Sequence, residues 1–151
     1  MKKPKANTRP FWRLLFLCYC AGMLWLLFLG TRSASYGNYW AQVRENYSIR
    51  PFYTINNYLR VLLHSSNGYL VRHCAINLAG NILLFVPGGF LFPRLFRTFR
   101  PFWRALLLFF FMLLCVETVQ LFSLRGRFDV DDLILNLLGL CVGYGIYALR
   151  K

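Results

Sequence analysis

Acidic side chains are scarce in this chain. Among 151 residues there are five Asp and Glu against 18 Lys and Arg, and charged residues of both signs make up only 15%. That is too little charge to cover the surface of a soluble domain of this length, which excludes that class. Cysteine pairing is lacking too. Cys18, Cys20, Cys74, Cys115 and Cys141 form no CxxC pair, and four of them fall in apolar runs. A thiol there acts as a small hydrophobe, so neither a disulfide framework nor a zinc site is indicated. Histidine is limited to His64 and His73. Each is isolated and reads as an interfacial polar residue. The net charge of +13 comes without a zinc-finger or RNP-type pattern, so nucleic acid is not an expected partner.

What the chain has instead is apolar sequence, 58% of it, in long blocks. Four blocks are long enough to cross a bilayer at about 1.5 Å rise per residue. They cover about 11–30, 74–92, 105–124 and 129–149. The expected fold is all-α: a polytopic membrane protein with a single domain over 1–151, a four-transmembrane-helix bundle. The rival for the first block is a cleaved signal peptide ending near Ser33-Ala34-Ser35, but the apolar core is longer than a usual h-region. Within the first extracellular loop, 31–73, Ile55, Tyr58, Leu59, Leu62 and Leu63 recur at helical spacing. They predict a short interfacial helix with Thr54 as its N-cap. Pro87 is expected to kink the second span or end it early.

Basic residues set the orientation. The N-terminus, the 94–104 loop and the C-terminus are rich in Lys and Arg and alternate correctly for four crossings with both ends cytoplasmic. The arginines of the 31–73 loop run against this, with less weight because that loop is long.

This topology brings polar residues to one depth. Asn77 and Asn81 share a face of the second span, Glu117 and Gln120 close the third, and Asp129, Asp132 and Asn136 open the fourth. Along the fourth span, Asp129, Asp132, Asn136, Gly139 and Gly143 form a stripe, whose glycines suit close approach by a neighbouring helix. Asp131 points elsewhere and is expected in the headgroup region, complementing its own helix dipole. A charged side chain at the depth of Glu117 costs about 2.5–3.5 kcal/mol on insertion scales. It could pair with Arg127 or Arg72, bind a cation with Asp129 and Asp132, or stay protonated. The plain alternative is a set of interhelical hydrogen bonds that holds the bundle together.

The segments Asn77-Leu-Ala-Gly-Asn81, Phe85-Val-Pro-Gly88, Glu117-Thr-Val-Gln120, Arg127-Phe-Asp-Val-Asp-Asp132 and Asn136-Leu-Leu-Gly139 stand in an order that resembles the VanZ-like family. Arg50-Pro-Phe-Tyr-Thr-Ile55 is similar to that family's first extracellular region, so the resemblance covers roughly 50–147. It implies a small membrane protein of the bacterial cell membrane. The family's namesake accompanies glycopeptide-resistance genes and gives low-level resistance to teicoplanin and other lipid-tailed glycopeptides.

Two functional readings follow. In the first, the cluster is a non-enzymatic site for a membrane lipid headgroup or a lipoglycopeptide antibiotic. In the second, it is a membrane enzyme acting on a lipid-linked cell-wall precursor. Glu117 would then be the acid/base, with Asp129 and Asp132 completing the catalytic set or holding a divalent cation such as Mg²⁺. Arg127 and Arg72 would take the phosphate, while Asn77, Asn81, Gln120 and Asn136 orient the groups. A small transporter is a weaker third reading, since four helices leave little room for a pathway.

Overall fold

The structure is a computed structural model and describes residues 9–29 and 37–150. The Ser33-Ala34-Ser35 segment and the lysines before Arg9 lie outside those residues. In chain order the elements are α1 (Arg9–Leu24), extended by a wider π turn over Trp25–Leu29, then α2 (Tyr39–Glu45) and β1 (Tyr47–Ser48). Next come α3 (Tyr53–His64), α4 (Gly68–Leu95), a single 3₁₀ turn (Arg97–Phe99), α5 (Phe102–Phe122), β2 (Phe128–Asp129) and α6 (Val130–Leu149). Four of these helices, α1 with its π turn, α4, α5 and α6, are long and apolar enough to cross a membrane.

The second span is longer than its apolar run. Asn67 caps α4 by accepting from the N–H groups of Tyr69 and Leu70, so the helix starts at Gly68 rather than Cys74. It then runs α-helical through Pro87 and Pro93 to Leu95, against the expectation that Pro87 stops it. A proline in a membrane helix is tolerated where neighbours support the interrupted backbone. Here α1 packs alongside, and Tyr19 donates its hydroxyl at 3.0 Å to the Leu84 carbonyl, next to the Leu83 carbonyl that Pro87 leaves without its helical donor.

The centre of the bundle is the α4–α6 pair. Gly139 lies against the Ile82 carbonyl, Gly143 against the Val86 carbonyl, and Gly89 against the Leu140 carbonyl and the Tyr144 amide. The contacts advance together along both helices, so the two run parallel. Backbone touches backbone, and a Cβ at any of the three positions would overlap a carbonyl oxygen. This is the close approach that the glycine stripe predicts. Beside it, Phe85, Leu113 and Leu133 join α4, α5 and α6 in an apolar core, with Met23 of α1 packed against it.

The first loop is more structured than the sequence reading expects. The interfacial helix is present as α3, but a further short helix, α2, precedes it, capped by the Asn38 side chain. β1 and β2 pair in parallel, Tyr47 with Phe128 and Ser48 with Asp129. Tyr39 donates its hydroxyl to the Phe122 carbonyl at 2.8 Å, which ties the loop to the end of α5. The turn after α5 places Leu124, not Gly126, in the left-handed region, with φ 53°.

The glycine contacts make a sharp test. Alanine is the better helix former by about 0.5–1 kcal/mol, yet an overfilled contact costs about 1–3 kcal/mol. Gly139→Ala and Gly143→Ala should therefore lower the thermal unfolding temperature in detergent. Gly145→Ala, which meets nothing within 4 Å, should leave it unchanged or raise it.

Candidate functional site

The acidic motif of residues 129–132 sits where α3, α4, α5 and α6 come together. Asp129 is the N-cap of α6. Its Oδ1 accepts from the Asp131 N–H at 3.0 Å, and its Oδ2 accepts from the Thr54 hydroxyl at 2.6 Å. Thr54 therefore binds the acid instead of capping its own helix. The capping position of α3 is Phe52, which has a left-handed φ of 63° and no side-chain cap.

Asp131 does that work from 79 residues away. Its Oδ1 accepts from the Phe52 N–H at 2.5 Å and its Oδ2 from the Ile55 N–H at 3.0 Å. Its side chain is fully buried, at 0% exposure. The expectation that Asp131 sits among the headgroups and serves its own helix is thus corrected. The first amides of any helix lack internal partners, and those of α3 face inward, so a buried carboxylate from the next layer satisfies them.

Asp132 and Asn81 meet directly, with Asn81 Nδ2 donating to Asp132 Oδ1 at 2.5 Å. Glu117, 5% exposed, accepts from the Asp129 N–H at 3.4 Å and lies within electrostatic reach of Asp132. Separate helices therefore bring Asn81, Glu117, Asp129 and Asp132 to one place. Asn136, one turn beyond Asp132, is 5% exposed, and its Oδ1 has no hydrogen-bond partner. A buried amide oxygen without a donor costs about 1–3 kcal/mol, so this position has acceptor capacity to spare. Asp132 is only half-buried, and a single hydrogen bond reaches it.

Other candidates go elsewhere. Gln120 is buried, but it donates from Nε2 to the Leu27 carbonyl at 2.8 Å. Beside it, the Arg125 guanidinium donates to the Phe28 carbonyl. Together these two satisfy the end of the first span, where the π turn leaves carbonyls open. Arg72 is exposed on α4 and joins none of the carboxylates. Asn77 is half-buried, one turn before Asn81, and makes no side-chain hydrogen bond among the described residues. Arg127 is exposed and within electrostatic reach of both Asp132 and Tyr58. Glu117 pairs with neither arginine. Among the described residues no group of three or more His, Cys, Asp and Glu is arranged to hold a metal ion, and both oxygens of Asp129 already accept hydrogen bonds.

Two residues near the cluster escape the sequence reading. Tyr58 of α3 lies over it. Burial pushes its phenol above the ordinary range, the Asp132 carboxylate adds to this, and Arg127 opposes it. Its ring also packs edge-on against His73 at 6.4 Å, which accounts for that histidine. Arg50 is the other. With Tyr47, Ser48, Ile49, Tyr53 and Arg127 it lines a cleft of about 280 Å³. The signal for Arg50 was its place in the Arg50–Ile55 segment. The signal for Tyr58 was its helical register with Thr54, four residues earlier.

A family model described as VanZ/LLP1 matches residues 16–151. The match extends past the 50–147 region of resemblance to include most of the first span. No curated protein and no solved structure matches the chain.

The cap supplied by Asp131 can be tested alone. Asp131→Ala leaves two inward-facing amides unsatisfied, at about 1–3 kcal/mol each. The amide protons of Phe52 and Ile55 should lose their protection in hydrogen exchange. Those in the middle of α4 and α6, held by the glycine contacts, should keep theirs.

Proposed function

The chain belongs to the VanZ/LLP1 family, and on that premise we propose that it binds a lipid-borne anion at the outer face of the bacterial plasma membrane. In doing so it contributes low-level resistance to teicoplanin and related lipid-tailed glycopeptides. The ligand is a lipid headgroup, the lipoglycopeptide itself or a lipid-linked cell-wall precursor. Both termini lie in the cytoplasm, because Arg9, Arg13, Arg94, Arg97, Arg100, Arg104 and Arg150 gather at one end of the bundle. The carboxylate web and the Arg50–Arg127 cleft then face outward.

The observation that carries this reading is that cleft. Arg50 and Arg127 come from segments far apart in sequence and are brought together by the pairing of β1 with β2. Arginine suits carboxylate and phosphate through paired N–H donors, and Tyr47 and Tyr53 add apolar surface with hydroxyl tips. Beneath the cleft, Asp129 and Asp131 use all four of their carboxylate oxygens to accept from the backbone or from Thr54. Acids used this way form a scaffold rather than a proton relay.

A second reading, a membrane enzyme on a lipid-linked envelope substrate, draws on Glu117 and Asp132. These two acids are close together, and the open Asn136 oxygen lies one turn away. In this scheme Glu117 exchanges the proton while Asn81 and Asn136 orient the groups.

Charge-neutralising variants separate the two. On the binding reading, Arg50→Gln with Arg127→Gln should abolish teicoplanin resistance in cells while leaving the unfolding temperature in detergent unchanged. Glu117→Gln and Asp132→Asn should keep resistance wherever they remain folded. The lipid profile of the envelope, read by mass spectrometry, should not differ between expressing and deleted cells. Loss of resistance in folded Glu117→Gln, together with a changed lipid profile, would favour the enzyme.

A further inference from the structure

The opposite end of the bundle carries a second assembly of charge. Arg9 and Arg13 of α1, Arg94 of α4, and Arg97 and Arg100 of the following connection line one cleft of about 370 Å³. A neighbouring cleft of about 320 Å³ shares Arg9, Arg94 and Arg100 and adds Arg150 from the end of α6. No Asp or Glu lines either one. All five acidic side chains of the sequence lie elsewhere, at Glu45 and in the carboxylate web.

Orientation in the membrane needs basic residues near span ends, but it does not need them to converge. Here Arg9, Arg94 and Arg150, 85 and 56 residues apart in sequence, meet around one space. The arrangement is held in place. The Arg94 guanidinium lies 4.1 Å from the Trp12 ring centroid, a cation–π contact that joins α4 to α1. The Tyr144 hydroxyl donates to the Arg100 carbonyl, and the Tyr144 ring stacks against Phe102 at 5.1 Å. The connection between α4 and α5 is thereby pinned to α6. Like charges repel, so arginines that line one cleft favour an anion there.

The neighbouring surface says what carries that anion. An apolar cleft of about 230 Å³ between α1, α4 and α5 includes Phe16, Phe92 and Phe109. Phe16 packs on Phe92 and Phe96 at 5.7 and 5.6 Å, directly beside the arginines. A charged cleft with an apolar one about a turn away along α1 and α4 fits a molecule with a phosphate head and a hydrocarbon tail. Basic pockets between membrane helices on the cytoplasmic side are suited to such headgroups. A single phosphodiester has one negative charge, which is few for Arg13, Arg94, Arg97 and Arg100 even without Arg9.

We propose that the cleft formed by Arg9, Arg13, Arg94, Arg97 and Arg100 binds the headgroup of an anionic lipid bearing two phosphates, with its acyl chains along the apolar cleft beside Phe16 and Phe92. The site is separate from the Arg50–Arg127 cleft and does not depend on what that cleft binds.

The test uses the full chain in detergent, incubated with cardiolipin, phosphatidylglycerol, phosphatidylcholine or inorganic pyrophosphate, with retention read by native mass spectrometry. Cardiolipin should be retained about tenfold more strongly than phosphatidylglycerol, a gap of about 1.4 kcal/mol, and phosphatidylcholine hardly at all. Arg97→Gln with Arg100→Gln, both exposed, should lose that preference. Arg44→Gln with Arg104→Gln removes the same charge outside the cleft and should keep it. Equal retention of cardiolipin and phosphatidylcholine would overturn the proposal, as would equal losses from the two double variants. Pyrophosphate binding as tightly as cardiolipin would overturn the assignment to a lipid.

Discussion

One buried carboxylate holds the loop end of this protein together. Asp131 stands in the first turn of α6 and accepts from the first amides of α3. Such bonds to a charged acceptor are each worth about 1.5–3 kcal/mol, which offsets part of the cost of removing the carboxylate from water. The same logic extends around it. Asp129 accepts from the start of α6, and Glu117 accepts from the Asp129 amide. The starts of two helices converge on the acids, and the positive end of a helix dipole suits a negative charge. Four carboxylates gather here and are compensated chiefly by backbone N–H groups and neutral side chains. Arg127 contributes only at the edge, beside Asp132.

This clarifies what was readable from residue order. The four spans were legible because hydropathy is a local property, and a close helix approach to α6 because Gly139 and Gly143 stand four apart on one face, without α4 being marked as the partner. The meeting of Asn81, Glu117 and Asp132 was legible because polar residues in apolar helices have few places to go. Asp131 was not legible in this way. Its partners lie 76 and 79 residues away, and nothing local distinguishes a cap given to another helix from one kept at home. Thr54 looked like a cap for the same reason. Gln120, three residues after Glu117, seemed bound for the same cluster, but that spacing turns it far enough around α5 to meet the open carbonyls of the first span. The start of α4 was missed because Asn67 lies before the apolar run. The β1–β2 pair was missed because two-residue strands leave no periodicity to find.

The charges divide by end. The acids sit where loops and short helices enclose them, and the clustered arginines sit where α1 begins and α4 and α6 finish. The bundle between them is joined by backbone contact at glycines, which leaves little play in the relation of α4 to α6. The two ends are therefore fixed relative to each other, although one gathers carboxylates and the other arginines.

The unequal enclosure of the spans bears on how the molecule is made. A third of the most apolar stretch of α6 is buried, against 6% for that of the first span. Translation delivers them in the opposite sequence. The span with the fewest neighbours precedes the other three, and the hub that receives Asn81 and Glu117 follows them. Until α6 follows, Asn81 and Glu117 lack the partners that it supplies. The first span meets α4 through Tyr19, but its end is completed only when Gln120 of α5 and Arg125 of the following turn reach the Leu27 and Phe28 carbonyls.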